Sequence, residues 1–237
     1  MSDSGSGIAA WQEWRADRHR SVTAPTGNLA LVETRWLPAG ETPDLDAARA
    51  GQPGTVTVTT LERTDMVTGA PEHGLRFWDA DSKAIRDFER IDAFPYDPAW
   101  VLDATYTPVE GARQVAFEHL RDNGGTRDKV VPGDIALTVD GTEYTLSAFD
   151  DDGTLLLVFG DPTNGDSTYG AGRFLFVEHA DDGRVRLDFN RAFVPPCGFS
   201  DQYNCPMPPL QNRFHLPVEA GEKLPVLRGG DAGDSAH

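Results

Sequence analysis

The residues able to do chemistry crowd into the last third of the chain. Between positions 161 and 212 lie acids, arginines, asparagines, both cysteines and most of the local prolines. Asp161, Tyr169, Arg173, Asp188, Asn190 and Arg191 fall at or near the ends of expected strands. Arg173 and Arg191 offer planar guanidinium forks that match a carboxylate or phosphate. Asp161 or Asp188, partly buried beside such a fork, is placed to accept a proton and so to serve as a catalytic residue. Tyr169 and Asn190 would orient a bound substrate. A plainer reading uses the same residues structurally: Asp161 caps a turn, and Asp188 pairs with an arginine beside a proline-rich loop.

Familiar motifs fail here on spacing or context. Residues 161–166 (DPTNGD) suggest a calcium loop, but glycine stands fifth instead of sixth, and the twelfth position is Gly172 in place of the bidentate glutamate. Residues 169–173 (YGAGR) resemble a phosphate-cradling glycine loop, yet a strand follows where a helix would have to present its N-terminus. The glycines there more simply let the chain turn tightly and deliver Arg173 to a fixed place. No serine elbow is present, since residues 165–170 (GDSTYG) carry one residue too many and no helix after them. Cys197 and Cys205, bracketed by prolines, have only His215 near them in sequence, too few ligands for structural zinc. Packing as buried thiols is the first reading, with a disulfide and a metal site as the alternatives. Cys197, Cys205 and Asn212 are therefore assigned to a structural loop, and neither a metal nor a cofactor is assigned.

These residues must be held by a β-rich frame. Residues 55–61 (TVTVTTL) alternate strictly with β-branched side chains. From 134 to 159 the pattern is a meander: residues 135–139, an Asp140-Gly141 turn of the type I′ kind, alternation over 143–149, a second turn at 151–153, and the continuous apolar run 154–159. That run has no polar face and is expected to be covered on both sides. A third hairpin joins 173–179 to 184–189. The prolines at 195, 196, 206, 208 and 209 exclude ladder pairing, making residues 194–212 a loop. Residues 83–90 suit a short helical turn, residues 38–53 a loop, and residues 216–226 an extended segment. Near the N-terminus, Ile8, Trp11 and Trp14 recur at near-helical spacing, predicting one amphipathic helix over 8–21. The expected fold is mainly β, an antiparallel, meander-rich barrel or sandwich with that N-terminal helix, in a single domain over 8–227 followed by a disordered tail at 228–237. A barrel mouth would supply the pocket.

Composition narrows the partners. The chain has 237 residues and a formal net charge of -17, which repels phosphate backbones and anionic headgroups, so neither nucleic acid nor a membrane is an expected partner. There is no apolar run of membrane-spanning length and no basic-then-apolar leader, and a cytoplasmic location is expected. A homo-oligomer stays open.

The chain resembles the uncharacterised family known as domain of unknown function 1684, through residues 92–100 (DAFPYDPAW), 168–175 (TYGAGRFL), 187–192 (LDFNRA), 195–197 (PPC), 205–209 (CPMPP), Asn212 and 219–222 (EAGE). The resemblance marks signature positions without assigning them roles, and residues 38–80 carry it least. The first expectation for function is a small-molecule enzyme without a redox cofactor, using Asp161 or Asp188 with Arg173 and Arg191. The alternatives are a small-ligand binding or carrier module using the same pocket without turnover, and a structural or interaction protein.

Overall fold

The computed structural model describes residues 3–64, 69–118, 126–151, 153–179 and 182–229. The expected tail at 228–237 lies almost wholly outside these residues. Three helices and eleven strands follow in order: α1 (Asp3–Val22), β1 (Leu31–Trp36), α2 (Leu45–Arg49), β2 (Val56–Thr64), β3 (Pro71–Asp79), α3 (Lys83–Asp87), β4 (Phe88–Ala93), β5 (Val101–Glu118), β6 (Thr126–Val139), β7 (Thr142–Asp151), β8 (Thr154–Phe159), β9 (Arg173–His179), β10 (Arg184–Asp188) and β11 (Glu222–Leu227). The fold is mainly β and antiparallel, as expected.

Six strands close into a barrel in the order β10-β5-β6-β7-β8-β9. The meander forms its middle. At the β6–β7 turn Val139 pairs with Thr142, and the two residues between them, Asp140 and Gly141, both take positive φ (48° and 77°), as a type I′ turn requires. Within β8, residues 155–159 are all buried, and Thr154 is exposed. Leu155, Leu157 and Phe159 point into the barrel with Ile135, Leu146 and Leu187. Leu156 and Val158 point outward, against Phe174, Phe193 and both cysteines. A strand buried on two faces has no need of polar alternation.

The barrel interior is filled by side chains. Phe159, Phe189 and Phe214 meet edge to face with centroids 5.3–5.8 Å apart, the offset geometry that aromatic quadrupoles favour. Two smaller sheets lie outside the barrel, β1-β3-β2 and β11-β4. Residues 38–53, read as loop, hold the short helix α2, whose first turn is capped by the Asp44 carboxylate accepting from the backbone of Asp46 and Ala47.

Helix α1 is longer than the periodicity indicated, and its attachment is more polar. Ile8, expected on the packed stripe, is 41% exposed. What faces the body is Trp11, Trp14, Arg15 and Arg18. Trp11 Nε1 donates to the Asn190 carbonyl at 3.0 Å, Arg15 Nη2 to the Ile91 carbonyl at 2.6 Å, and Arg18 grips Glu222. None of the described α1 residues before Val22 is fully buried. The helix is thus pinned by hydrogen bonds more than by apolar area.

Candidate functional site

Arg173 opens β9, opposite Phe159 at the end of β8. Gly172 just before it has φ 92°, and a Cβ there would meet the Phe159 carbonyl at 2.6 Å, so only glycine makes this entry to the strand. The result is the delivery of Arg173 anticipated from the sequence, but into the interior. Its side chain and that of Asp161 are both 0% exposed and pair at 2.8 Å. Arg173 Nη2 also donates to the Val218 carbonyl at 2.7 Å, and Nη1 to the carbonyls of Ala220 and Glu222. Asp161 Oδ1 accepts from the backbone of Thr163 at 2.9 Å and of Val218 at 3.2 Å. Burial draws the Arg173 guanidinium below its ordinary range, while the charge of Asp161 and its hydrogen bond oppose that shift. Neither residue presents a surface to a ligand. The pair instead ties the 160–172 loop and β9 to the 218–222 segment.

Asn190 is buried and spent. Its amide accepts from the Asp97 backbone at 2.8 Å and donates to the Asp97 carbonyl and to Asp188 Oδ1, each at 2.9 Å. Asn212 plays a similar part on the other side of the barrel. The β7–β8 ladder pairs Phe149 with Leu156 as its last rung in that direction. Beyond it Asn212 fills the gap, accepting from Ser147 N at 2.8 Å and donating to the carbonyls of Ser147 at 2.9 Å and Val158 at 2.8 Å. The side-chain amide thereby substitutes for the missing strand-to-strand bonds. Tyr169, half-buried, donates through its hydroxyl to the Cys197 carbonyl at 3.1 Å. Cys197 and Cys205 are buried, and the Cys197 N–H donates to Cys205 Sγ at 3.2 Å. Of the readings for the cysteines, buried thiols describes what is seen. Among the described residues no group of three or more His, Cys, Asp or Glu is placed to hold a metal.

Asp188 and Arg191 line an opening. It is a cleft of about 660 Å³ between α1 and the outer wall of the barrel. Its floor is the outward face of three adjacent strands. Arg186 in β10 stands directly across from Asp103 in β5 on one side and from Glu178 in β9 on the other. Trp14, Tyr96, Phe176 and Phe193 border it. Phe176, 50% exposed, stacks on Phe193 with centroids 5.4 Å apart. Arg191 lies 3.5 Å from Asp188 Oδ2 and 3.5 Å from Glu178 Oε1, and its buried Nε has no hydrogen-bond partner. Asp188 Oδ1 is occupied by the backbone and side-chain amides of Asn190, which it holds in the turn that follows β10.

Arg18 forms the far wall. Its Nε and Nη2 meet the two carboxylate oxygens of Glu222 at 2.9 and 3.0 Å, and its guanidinium lies 4.8 Å from the Phe193 ring centroid. Glu222, 1% exposed, also accepts from Val194 N at 2.8 Å. Because Arg173 reaches the backbone of Glu222, the interior pair and the helix latch share one residue. Sequence reasoning placed Glu222 in a signature stretch without a role, and it missed Arg18, Asp103, Glu178 and Arg186 as parts of one surface. The strand alternation over 184–188 was the available signal for Arg186, since it puts 184, 186 and 188 on one face.

The model of a family described as "Protein of unknown function (DUF1684)" matches residues 86–223, more than half of the chain. Among solved structures, the chain is similar to the solution NMR structure of an uncharacterized protein of Haloarcula marismortui. The two are 30% identical with a TM-score of 0.47, over 57% of this chain and 77% of that one. No curated protein matches the chain. Among the described residues no helix is long and apolar enough to cross a membrane.

Proposed function

For this chain, which belongs to the DUF1684 family of proteins of unknown function, we propose a small-ligand binding module whose site is the cleft under α1. Its ligand is a small zwitterion bearing an apolar group. The carrying observation is the acid–base–acid row Asp103, Arg186 and Glu178 across three neighbouring strands, bordered by four aromatic side chains. A ligand of one charge sign would pair with side chains of the opposite sign but strip water from those of its own sign and leave them unpaired. A ligand with an ammonium and a carboxylate answers both. The ammonium suits Asp103 and Glu178 with aromatic faces nearby, and the carboxylate suits the Arg186 and Arg191 forks. The volume of about 660 Å³ is within the range of small-molecule sites.

Binding without turnover is favoured over an enzyme because the two expected proton acceptors are engaged. Asp161 is sealed against Arg173, and Asp188 Oδ1 is held by Asn190. A cytoplasmic setting belongs to the same proposal, since a chain with only two cysteines suits a reducing compartment. Calorimetric titration with phenylalanine, 3-phenylpropionate and phenethylamine tests it. The zwitterion is expected to bind about tenfold or more tightly than either singly charged analogue, the scale of one charge-assisted hydrogen bond. Equal affinities for all three, or no binding of phenylalanine, would overturn the reading.

A further inference from the structure

A second opening, of about 500 Å³, lies on the outer three-stranded sheet where residues 201–204 cover the β1 edge. It shares no lining residue with the α1 cleft. Its sheet side, residues 34–76, precedes the family-matched segment 86–223. The loop is fixed there by Gln202, whose side chain accepts from Thr34 N at 2.9 Å while its carbonyl accepts from the Thr34 hydroxyl at 3.1 Å.

Four charged residues line this groove, and three have partners. Arg63 pairs with Glu72 at 2.5 Å and lies 4.0 Å from the Trp36 ring centroid. Glu62 meets His73 Nδ1 at 3.5 Å. Asp201 accepts from the Gln202 side chain at 2.8 Å. Arg76 is the exception. Its guanidinium sits between the rings of Tyr203, 5.3 Å away, and Trp78, 5.8 Å away. It has no carboxylate within ion-pairing distance among the described residues, and its buried Nε has no hydrogen-bond acceptor.

The rings do not supply that acceptor. Trp78 donates its own N–H to Thr59 at 2.8 Å. Burial pushes the Tyr203 hydroxyl pKa up, so the ring stays neutral and offers no counter-charge. A half-buried guanidinium near aromatic faces gains cation–π attraction, but an N–H removed from water without an acceptor is left unsatisfied. An anion entering the groove would supply the guanidinium with its missing counter-charge.

We infer that this groove is a second ligand site, taking the oxyanion of a small carboxylate or phosphate, with Arg76 as the residue that binds it. The planar fork of arginine accepts either oxyanion in a bidentate fashion. The overall charge of -17 disfavours anions over most of the surface, so saturable anion binding to this protein would be a local property. The inference is independent of the α1 cleft.

The test is titration of the full chain at low ionic strength with inorganic phosphate and, separately, with acetate, followed by the Arg76 side-chain Nε–H resonance and by calorimetry. Saturable binding of one anion with a shift of that resonance is expected, and which anion saturates tells phosphate from carboxylate. Arg76→Met should weaken binding about tenfold or more, and Arg76→Lys should retain part of it. The resonance shift needs no substitution, so the proposal remains testable if Arg76→Met fails to fold. An Arg76 resonance that stays put with both anions, or Arg76→Met binding as tightly as wild type, would refute it.

Discussion

Asp161 with Arg173 and Asp188 with Arg191 are two aspartate–arginine pairs at the ends of neighbouring barrel strands, yet their settings are opposite. The first pair is 2.8 Å apart with both side chains at 0% exposure, and backbone groups take up the remaining capacity of the carboxylate. The second is 3.5 Å apart with side chains 34% and 25% exposed, beside an open cleft. Surroundings separate them, not residue type. The chain around Arg173 closes over it with the 218–222 segment, whereas the chain around Arg191 leaves room between the barrel wall and a helix held by a few hydrogen bonds.

Arg173→Met should give the largest effect, because it strands a buried carboxylate: a loss of about 3–5 kcal/mol in urea unfolding is expected. The double change Asp161→Leu with Arg173→Met removes both charges and should recover part of that loss. If the single change costs under 1 kcal/mol, the interior pair is not the tie described above.

Asn212→Ala comes next. It leaves Ser147 N–H and two carbonyls without their partner, and about 3 kcal/mol of lost stability is expected by the same unfolding measurement. Glu222→Ala should cost about 2 kcal/mol by removing the acceptor of the Arg18 guanidinium. It should also speed proteolytic cleavage within α1, and unchanged cleavage would mean that the helix is held by something other than this latch.

The smallest effect expected is on pH. The Tyr106 and Tyr203 pKa values are both raised, chiefly by burial. A raised tyrosine pKa stabilises the fold fully below the ordinary tyrosine value and loses that contribution as pH climbs through the folded value. Stability should therefore decline in alkaline solution beyond the ordinary tyrosine range. Spectrophotometric titration compared with Tyr106→Phe and Tyr203→Phe should show both residues ionising above the ordinary tyrosine value, and ionisation of either at that value would contradict the assignment.

Much of the frame was legible because period-two alternation and Asp-Gly turns act locally. The 154–159 run could be read as a strand covered on both faces, and the 139–142 turn could be placed to the residue. Asp161 was readable as a turn residue from its own neighbourhood. That Arg173 turns inward was not, because its partners at 218, 220 and 222 are nearly fifty residues away, and no local pattern reports that closure. The cleft was hidden for a related reason. Its floor comes from β5, β9 and β10, and its wall from α1, so Asp103, Glu178, Arg186 and Trp14 look like ordinary exposed or amphipathic positions until the barrel brings them together.

The central claim, that the open pair serves a ligand while the sealed pair serves the fold, is tested most directly by calorimetric titration of phenylalanine into Arg191→Met. This variant should unfold within about 1 kcal/mol of wild type, as exposed ion pairs contribute little. The account predicts that wild type binds and that Arg191→Met binds about tenfold or more weakly. Equal binding by the two proteins would contradict it.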